Sequence, residues 1–426
     1  RYLFLTFICI FAFLVFTAFG TYKGYHATES VQFCGRLCHT VMSPEYTTYK
    51  SSPHAKVRCV ECHIGPGATW FVRSKISGLY QVYAVIFNVY PKPIPTPVKN
   101  LRPAQETCEE CHWPEKFYGA VNLHHIKYLT DEKNTPWTIQ MSLKVGGANP
   151  ANGPVGGIHW HMIVGSQLEY KAADEQRQII PWVRITDRST GESVVYESKR
   201  TPLPAMDAVH QGGAEFHEKK YIPQIEPVPP EQEWQPIRRM DCIDCHNRPT
   251  HIFNSPNDAL DVSLWLQRID ASIPFIKLNT VEALVRSAGA ASKKEGLAQI
   301  AEKLGKQYHD YSNQKAIQAT ISETQKIFQD NFFPEMKTDW RVRFNNIGHH
   351  IWTGCFRCHD GNHVSKDGKT ISNACDSCHL IVAQGRGLKP TETRLEGLKF
   401  EHPGGTTPPG LLCTQCHKGA GAPNRH

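Results

Sequence analysis

Arg58-Cys59-Val60-Glu61-Cys62-His63 is the stretch on which the reading of the whole chain turns. Its Cys-x-x-Cys-His pattern returns at Cys108-Cys111-His112, Cys242-Cys245-His246, Cys355-Cys358-His359, Cys375-Cys378-His379 and Cys413-Cys416-His417. A seventh copy, Cys34-Cys38-His39, carries one extra residue between its cysteines. Two thiols three positions apart lie on one turn and reach two adjacent edges of a macrocycle as thioethers, while the next residue turns its imidazole under the metal. Zinc ribbons also use Cys-x-x-Cys pairs and thioredoxin-like proteins use one, but neither needs a histidine after every second cysteine. The pattern therefore implies seven covalently attached c-type haems, with these fourteen cysteines as attachment points and His39, His63, His112, His246, His359, His379 and His417 as proximal iron ligands.

Of the 15 cysteines only Cys9 is left over, and it lies in an apolar run where a free thiol behaves as a small hydrophobe. The formal charge of +7 invites a nucleic-acid partner. Basic residues are scattered, however, and haem propionates would add about fourteen negative charges, so no nucleic acid is expected. From Tyr2 to Phe19 no residue is charged, close to the ~20 residues a bilayer requires. The run is too long and too rich in Phe for a cleaved signal peptide, so a retained anchor over residues 1–22 is expected. Because the chain opens on Arg1, some cytoplasmic residues are expected to precede it. A basic flank there would put the remainder on the periplasmic side of the cytoplasmic membrane.

The expected fold class is a multihaem cytochrome c: mainly α and irregular, haem-cored, with one N-terminal transmembrane helix and a small β-rich insertion. After the anchor come a haem domain over 23–121 with three motifs and a β-rich insertion over 122–240. Within that insertion Thr138 to Val145, and Trp182 to Ile185 followed by a Ser189-Thr190-Gly191 turn and Val194 to Tyr196, alternate like strands. Next are a fourth motif over 241–258, a helical segment over 259–340 and a cytochrome c module over 341–426. The spacing from Ala259 to about Asp330 predicts two or three helices, and the four prolines between Pro91 and Pro97 predict an extended strap.

A haem that only shuttles electrons needs a second strong ligand, whereas a catalytic haem leaves that position open. Of 22 histidines, seven sit in motifs, and the rest suffice for a second histidine at each iron. The expected distal set is His54, His124, His251, His349, His363 and His402, with one of His159 or His161, and with Met42 as the alternative at the first haem. His26, His217, His309 and His426 are read as ordinary residues.

The segments CHTVMSPEY, SPHAKVRCVECHIGPG, WFVRSKISGLYQVY and CEECHWPEKFYG, between Cys34 and Gly119, resemble the NapC/NirT/NrfH family of membrane-anchored multihaem quinol dehydrogenases. GCFRCHDGNH and the last three motifs look like an added cytochrome c module. The resemblance implies oxidation of a membrane quinol, menaquinol or ubiquinol, beside the first haem, with electrons passing to a periplasmic redox protein or to other subunits of a respiratory complex. It also implies a lysine at the quinol pocket, matched by Lys75, with Tyr80 or Gln81 in a polar role. The family's first motif has two residues between its cysteines, and some members place a carboxylate beside the first haem. Here the spacing is three, and no acidic residue lies between Lys75 and Tyr90. The segment Gly78 to Tyr90 reads equally as an interfacial segment or as a buried helix on haem. Beside quinol oxidation stand two other functions: an electron conduit without a quinone site, and a reductase working at an open haem.

Overall fold

The computed structural model describes residues 1–37, 39–65, 67–98, 101–113, 116–146, 156–162, 165–199, 229–403, 405 and 412–419, with backbone only at 39, 40, 68 and 415. Cys38, His217 and His426 lie outside the described residues, as does the side chain of His39.

Helix α1 (Tyr2–Thr28) is longer than the expected anchor and carries Lys23 within it. At 1.5 Å per residue its 27 residues reach about 40 Å, enough for the hydrocarbon layer and one headgroup region. Its apolar side chains meet no protein: Leu3 is 85% and Phe16 76% exposed, a surface that a bilayer covers. Among the described residues it is the one helix long and apolar enough to cross a membrane. Helices α2 (His39–Lys50) and α3 (Cys59–His63) follow. Then comes α4 (Ala68–Ile86), which exposes Val72, Ile76, Leu79, Val82 and Ile86 and buries Ala84.

Past α5 (Gln105–Cys108) two antiparallel sheets form. The first joins β1 (Ala120–Tyr128) and β2 (Pro136–Lys144) to β8 (His379–Arg386) and β9 (Glu392–Leu398), in the order β1-β2-β8-β9. The second runs β6 (Arg238–Arg239), β3 (Ser166–Lys171), β4 (Trp182–Asp187), β5 (Ser193–Ser198) and β7 (His363–Ser365). Strands from the insertion thus pair with strands of the C-terminal segment in both sheets. In the first, β8 opens on His379, opposite Leu143. The expected hairpin is β4-β5, with Thr186 against Ser193.

Helix α6 (Cys242–Cys245) carries the fourth motif and α11 (Cys413–Cys416) the last. Between them the expected two or three helices are four: α7 (Pro256–Trp265), α8 (Ile276–Ser287), α9 (Lys293–Gln307) and α10 (Gln314–Asn331). The additional boundary comes from caps within the periodic run. Ser255, Ser292 and Asn313 each accept a hydrogen bond from a first-turn N–H and so start a new helix. These helices bury Leu260, Leu264, Ile276, Leu284, Ile300, Ile317 and Phe328, an ordinary apolar core beside the haem-bearing segments. Gly296 lets α9 approach α10, since a Cβ there would meet the Phe328 ring at 2.3 Å.

One ion pair ties that core to β1. The ammonium of Lys277 meets the carboxylate of Asp261 and the carbonyl of Tyr128, while Asp261 also accepts from the Tyr128 N–H at 2.9 Å. Asp261→Ala would leave a buried cation unpaired and a backbone N–H unsatisfied. The expected cost is about 3–5 kcal/mol of urea-measured stability, whereas a loss below about 1 kcal/mol would give the pair no more weight than a surface bridge.

Candidate haem chain and membrane-side site

The motifs share one backbone device. In four of them the histidine N–H donates to the carbonyl of the first cysteine: His112 to Cys108 at 2.8 Å, His246 to Cys242 at 2.8 Å, His359 to Cys355 at 3.0 Å and His417 to Cys413 at 2.8 Å. One closed turn places both thiols on one side and the imidazole beneath them. In the irregular first motif Cys34 lies in a π-helical turn, Phe33–Leu37, and a wider turn is what an extra residue requires. Other devices fix the later motifs. Asp244 accepts from Tyr170, Arg177 and Arg238 and so pins α6 to the second sheet. Gly354, at φ +50°, lets the chain turn against the Gly348 carbonyl just before Cys355.

Six motif histidines each face a second imidazole. The ring centres are 6.4 Å apart for His63 and His251, 6.1 Å for His112 and His54, and 6.3 Å for His246 and His159. They are 5.8 Å apart for His359 and His161, 6.2 Å for His379 and His349, and 5.9 Å for His417 and His402, while the His350 ring, at 4.5 Å from that of His417, stands too close for a metal between them. Two imidazoles on opposite sides of one metal, each bonded at about 2.0 Å with its ring centre about 1.1 Å further on, stand about 6 Å apart.

The outer ring nitrogens agree with that arrangement. Nδ1 of His54 faces the Pro249 carbonyl at 3.1 Å, His251 that of Glu45 at 3.0 Å, His159 that of Val145 at 3.0 Å and His161 that of Ile158 at 2.8 Å. A carbonyl can only accept, so Nδ1 carries the proton and Nε2 keeps its lone pair for a metal. Burial also holds His63, His161 and His246 below the usual imidazole range and His251 down to about 4, which keeps these rings neutral. The residues present therefore fit a haem iron in each gap.

Against the expected distal set, His54, His251, His349 and His402 each face a motif histidine, and His159 and His161 both do so rather than one of them. These two share a single 3-10 turn, Ile158–Met162, yet face different motifs. His363 is placed otherwise. It is fully buried with Nδ1 at Asp360 and Nε2 at the Ile180 carbonyl, which leaves no nitrogen for iron. His124 lies exposed on β1 with no motif histidine opposite it among the described residues, and Met42 lies one turn beyond His39 on α2. His309 is paired with Asp310, and His26 packs on Tyr22.

Successive motifs are neighbours in chain order. The Cys34 sulfur lies beside Cys59, Cys62 lies within electrostatic reach of Cys108 and Cys111, and Cys108 lies beside Cys242. Cys245 and Cys378 both lie within reach of Cys355, and Cys413 within reach of Cys375.

At the membrane end, Lys75 Nζ meets Glu29 Oε1 at 3.0 Å and Thr28 Oγ1 at 3.4 Å, and lies 4.7 Å from the centre of the Phe71 ring. Phe71 in turn packs on Tyr25 at 5.6 Å. Both charges act on Cys34, so the cluster adjoins the first motif. Glu29 is the carboxylate that the segment after Lys75 lacks, and it is 6% exposed. One signal could have found it: it is the first acidic residue of the chain, and it caps the C-terminus of α1, where the helix dipole disfavours an anion. Tyr80 and Gln81 lie about 140° and 120° round α4 from Lys75. Gln81 donates to Ser77 instead, and Tyr80 packs near Tyr83.

Anchor, repeated motifs and imidazole pairs together define a membrane-anchored multihaem c-type cytochrome. The NapC/NirT cytochrome c family, N-terminal region, matches residues 1–93. The cytochrome c-type protein ImcH of Geobacter sulfurreducens (strain ATCC 51573 / DSM 12127 / PCA) is 40% identical over 416 residues, 96% of this chain and 76% of that protein. The chain thus belongs to the NapC/NirT-domain multihaem cytochromes c, ImcH-like, with an added C-terminal cytochrome module. It is a single-pass membrane electron-transfer protein with covalently bound haem c. No solved structure matches it.

Proposed function

We propose that this cytochrome oxidises a membrane quinol, menaquinol or ubiquinol, at the Lys75–Glu29 cluster and delivers the electrons through seven haems to a periplasmic redox protein or to other subunits of a respiratory complex. When bound, the haems supply one-electron redox steps. The observation that carries the reading is the ion pair of Lys75 and Glu29 beside the first motif, at the end of the membrane helix. A quinol surrenders two protons with its two electrons, so its site needs a base and a group that steadies the developing phenolate. Glu29 supplies an acceptor oxygen and Lys75 a cation 3.0 Å from it, with Tyr25 and Phe71 as an apolar wall. The apolar side chains that α4 exposes, Val72, Ile76, Leu79, Val82 and Ile86, suit an outer interface where quinol would leave the hydrocarbon.

In the chain we assign as iron holders His63 with His251, His112 with His54, His246 with His159, His359 with His161, His379 with His349, and His417 with His402. His39 holds the first haem, with Met42 as its proposed partner. A second histidine on six irons disfavours a reductase with an open haem at any of them.

Anaerobic mixing of the holoprotein with a reduced menaquinol analogue tests the reading through the haem absorption bands. Rapid reduction is expected. Reduction by dithionite but not by quinol would make the chain a conduit fed by another redox subunit.

A further inference from the structure

We propose that Arg343 and Arg248 form a binding site for a haem propionate, that of the haem held between His63 and His251. The inference rests on the ligand assignment above. Arg343 is 2% exposed, at the start of the last cytochrome segment and far in sequence from either imidazole. It donates from Nη1 to the Ile94 carbonyl at 2.8 Å and from Nη2 to Glu45 Oε1 at 3.3 Å, while its buried Nε has no hydrogen-bond partner. Arg248 donates from Nε to the Phe344 carbonyl and from Nη2 to Thr96, each at 3.3 Å. The proline-rich strap thus supplies a carbonyl and a hydroxyl to the two guanidiniums.

Two guanidiniums here share one carboxylate. Among the described residues, besides each other and Glu45, no charged group acts on either of them appreciably. The Glu45 carboxylate reaches Arg343 Nη2 at 3.3 Å and leaves its Nε unmet. A buried guanidinium with an orphan N–H, beside a second, half-buried one and a single carboxylate, calls for an anion, and a planar fork suits a carboxylate. Both guanidiniums act on His251, which itself donates from Nδ1 to the Glu45 carbonyl. The nearest anion that haem attachment would bring is therefore a propionate of the haem that His251 faces.

In the holoprotein, His251→Met marks the haem by moving its absorption and potential. No response from any haem would defeat the ligand assignment, and the proposal with it. With that haem marked, Arg343→Gln and Arg248→Gln are each expected to shift its reduction equilibrium at least tenfold toward the oxidised form, 59 mV for one electron. Both are expected to move carboxylate bands in redox-difference infrared spectra of protein whose haem propionates carry ¹³C. Arg343→Lys, which keeps the charge but not the fork, is expected to preserve most of the potential while still moving the bands. Should Arg343→Gln not fold, the more exposed Arg248→Gln carries the test. Unmoved labelled bands in a folded variant would leave the guanidiniums as structural partners of Glu45 and the strap and overturn the proposal. Bands that move for the haem marked by His159→Met instead would overturn it as well.

Discussion

Lys75→Met is expected to slow reduction of the haems by quinol about 10²- to 10⁴-fold, with haem content and reduction by dithionite unchanged. The ammonium sits 3.0 Å from Glu29 on a side chain that is 39% exposed, so its loss would remove the cation proposed to steady a phenolate and leave Glu29 without that ion pair. Glu29→Gln keeps the shape and a hydrogen bond to Lys75 but cannot take a proton. It should be as slow as Lys75→Met near neutral pH and recover in part at high pH, where quinol ionises without a base. Tyr80→Phe and Gln81→Ala, on other faces of α4, are expected to change the rate less than about threefold. Wild-type rates in both Lys75→Met and Glu29→Gln would remove the quinol site from this cluster.

His159→Gly and His161→Gly are each expected to convert one low-spin haem to a high-spin form that binds carbon monoxide, and the double variant two. With ring spacings of 6.3 Å to His246 and 5.8 Å to His359, the proposed assignment gives each histidine a different iron. Both stand on one 3-10 turn, so under that assignment this short element would span the fourth and fifth haems. Electron flow from the membrane side should therefore stall at the altered haem. His363→Ala should convert none, because both its ring nitrogens are already engaged. Its effect should fall on stability, through the stranded Asp360. A new high-spin haem in His363→Ala would instead restore it as a ligand.

Much of this was legible because covalent haem attachment is a local code. Two cysteines and a histidine on one turn specify their own geometry, so the proximal set, the anchor and the β4-β5 hairpin follow from adjacent residues. The distal partners do not. His251 meets His63 across 188 positions, and nothing near either residue says so. Proximity in sequence even misleads: His363, four residues after His359, turns instead to Asp360 and the Ile180 carbonyl. The contact of Glu29 with Lys75 is not legible in the residues after Lys75, since it is set by how α1 and α4 pack. The sheets escaped for the same reason, because β7, β8 and β9 come from the C-terminal segment and complete strands laid down more than 160 positions earlier.

The imidazole pairs are the centre of the account, and magnetic spectroscopy of the oxidised holoprotein, read against its haem content by mass, addresses them most directly. Seven covalent haems are expected, at least six of them low-spin with two histidines each. Fewer than seven haems, or high-spin or histidine–methionine signals from any haem other than the first, would contradict it.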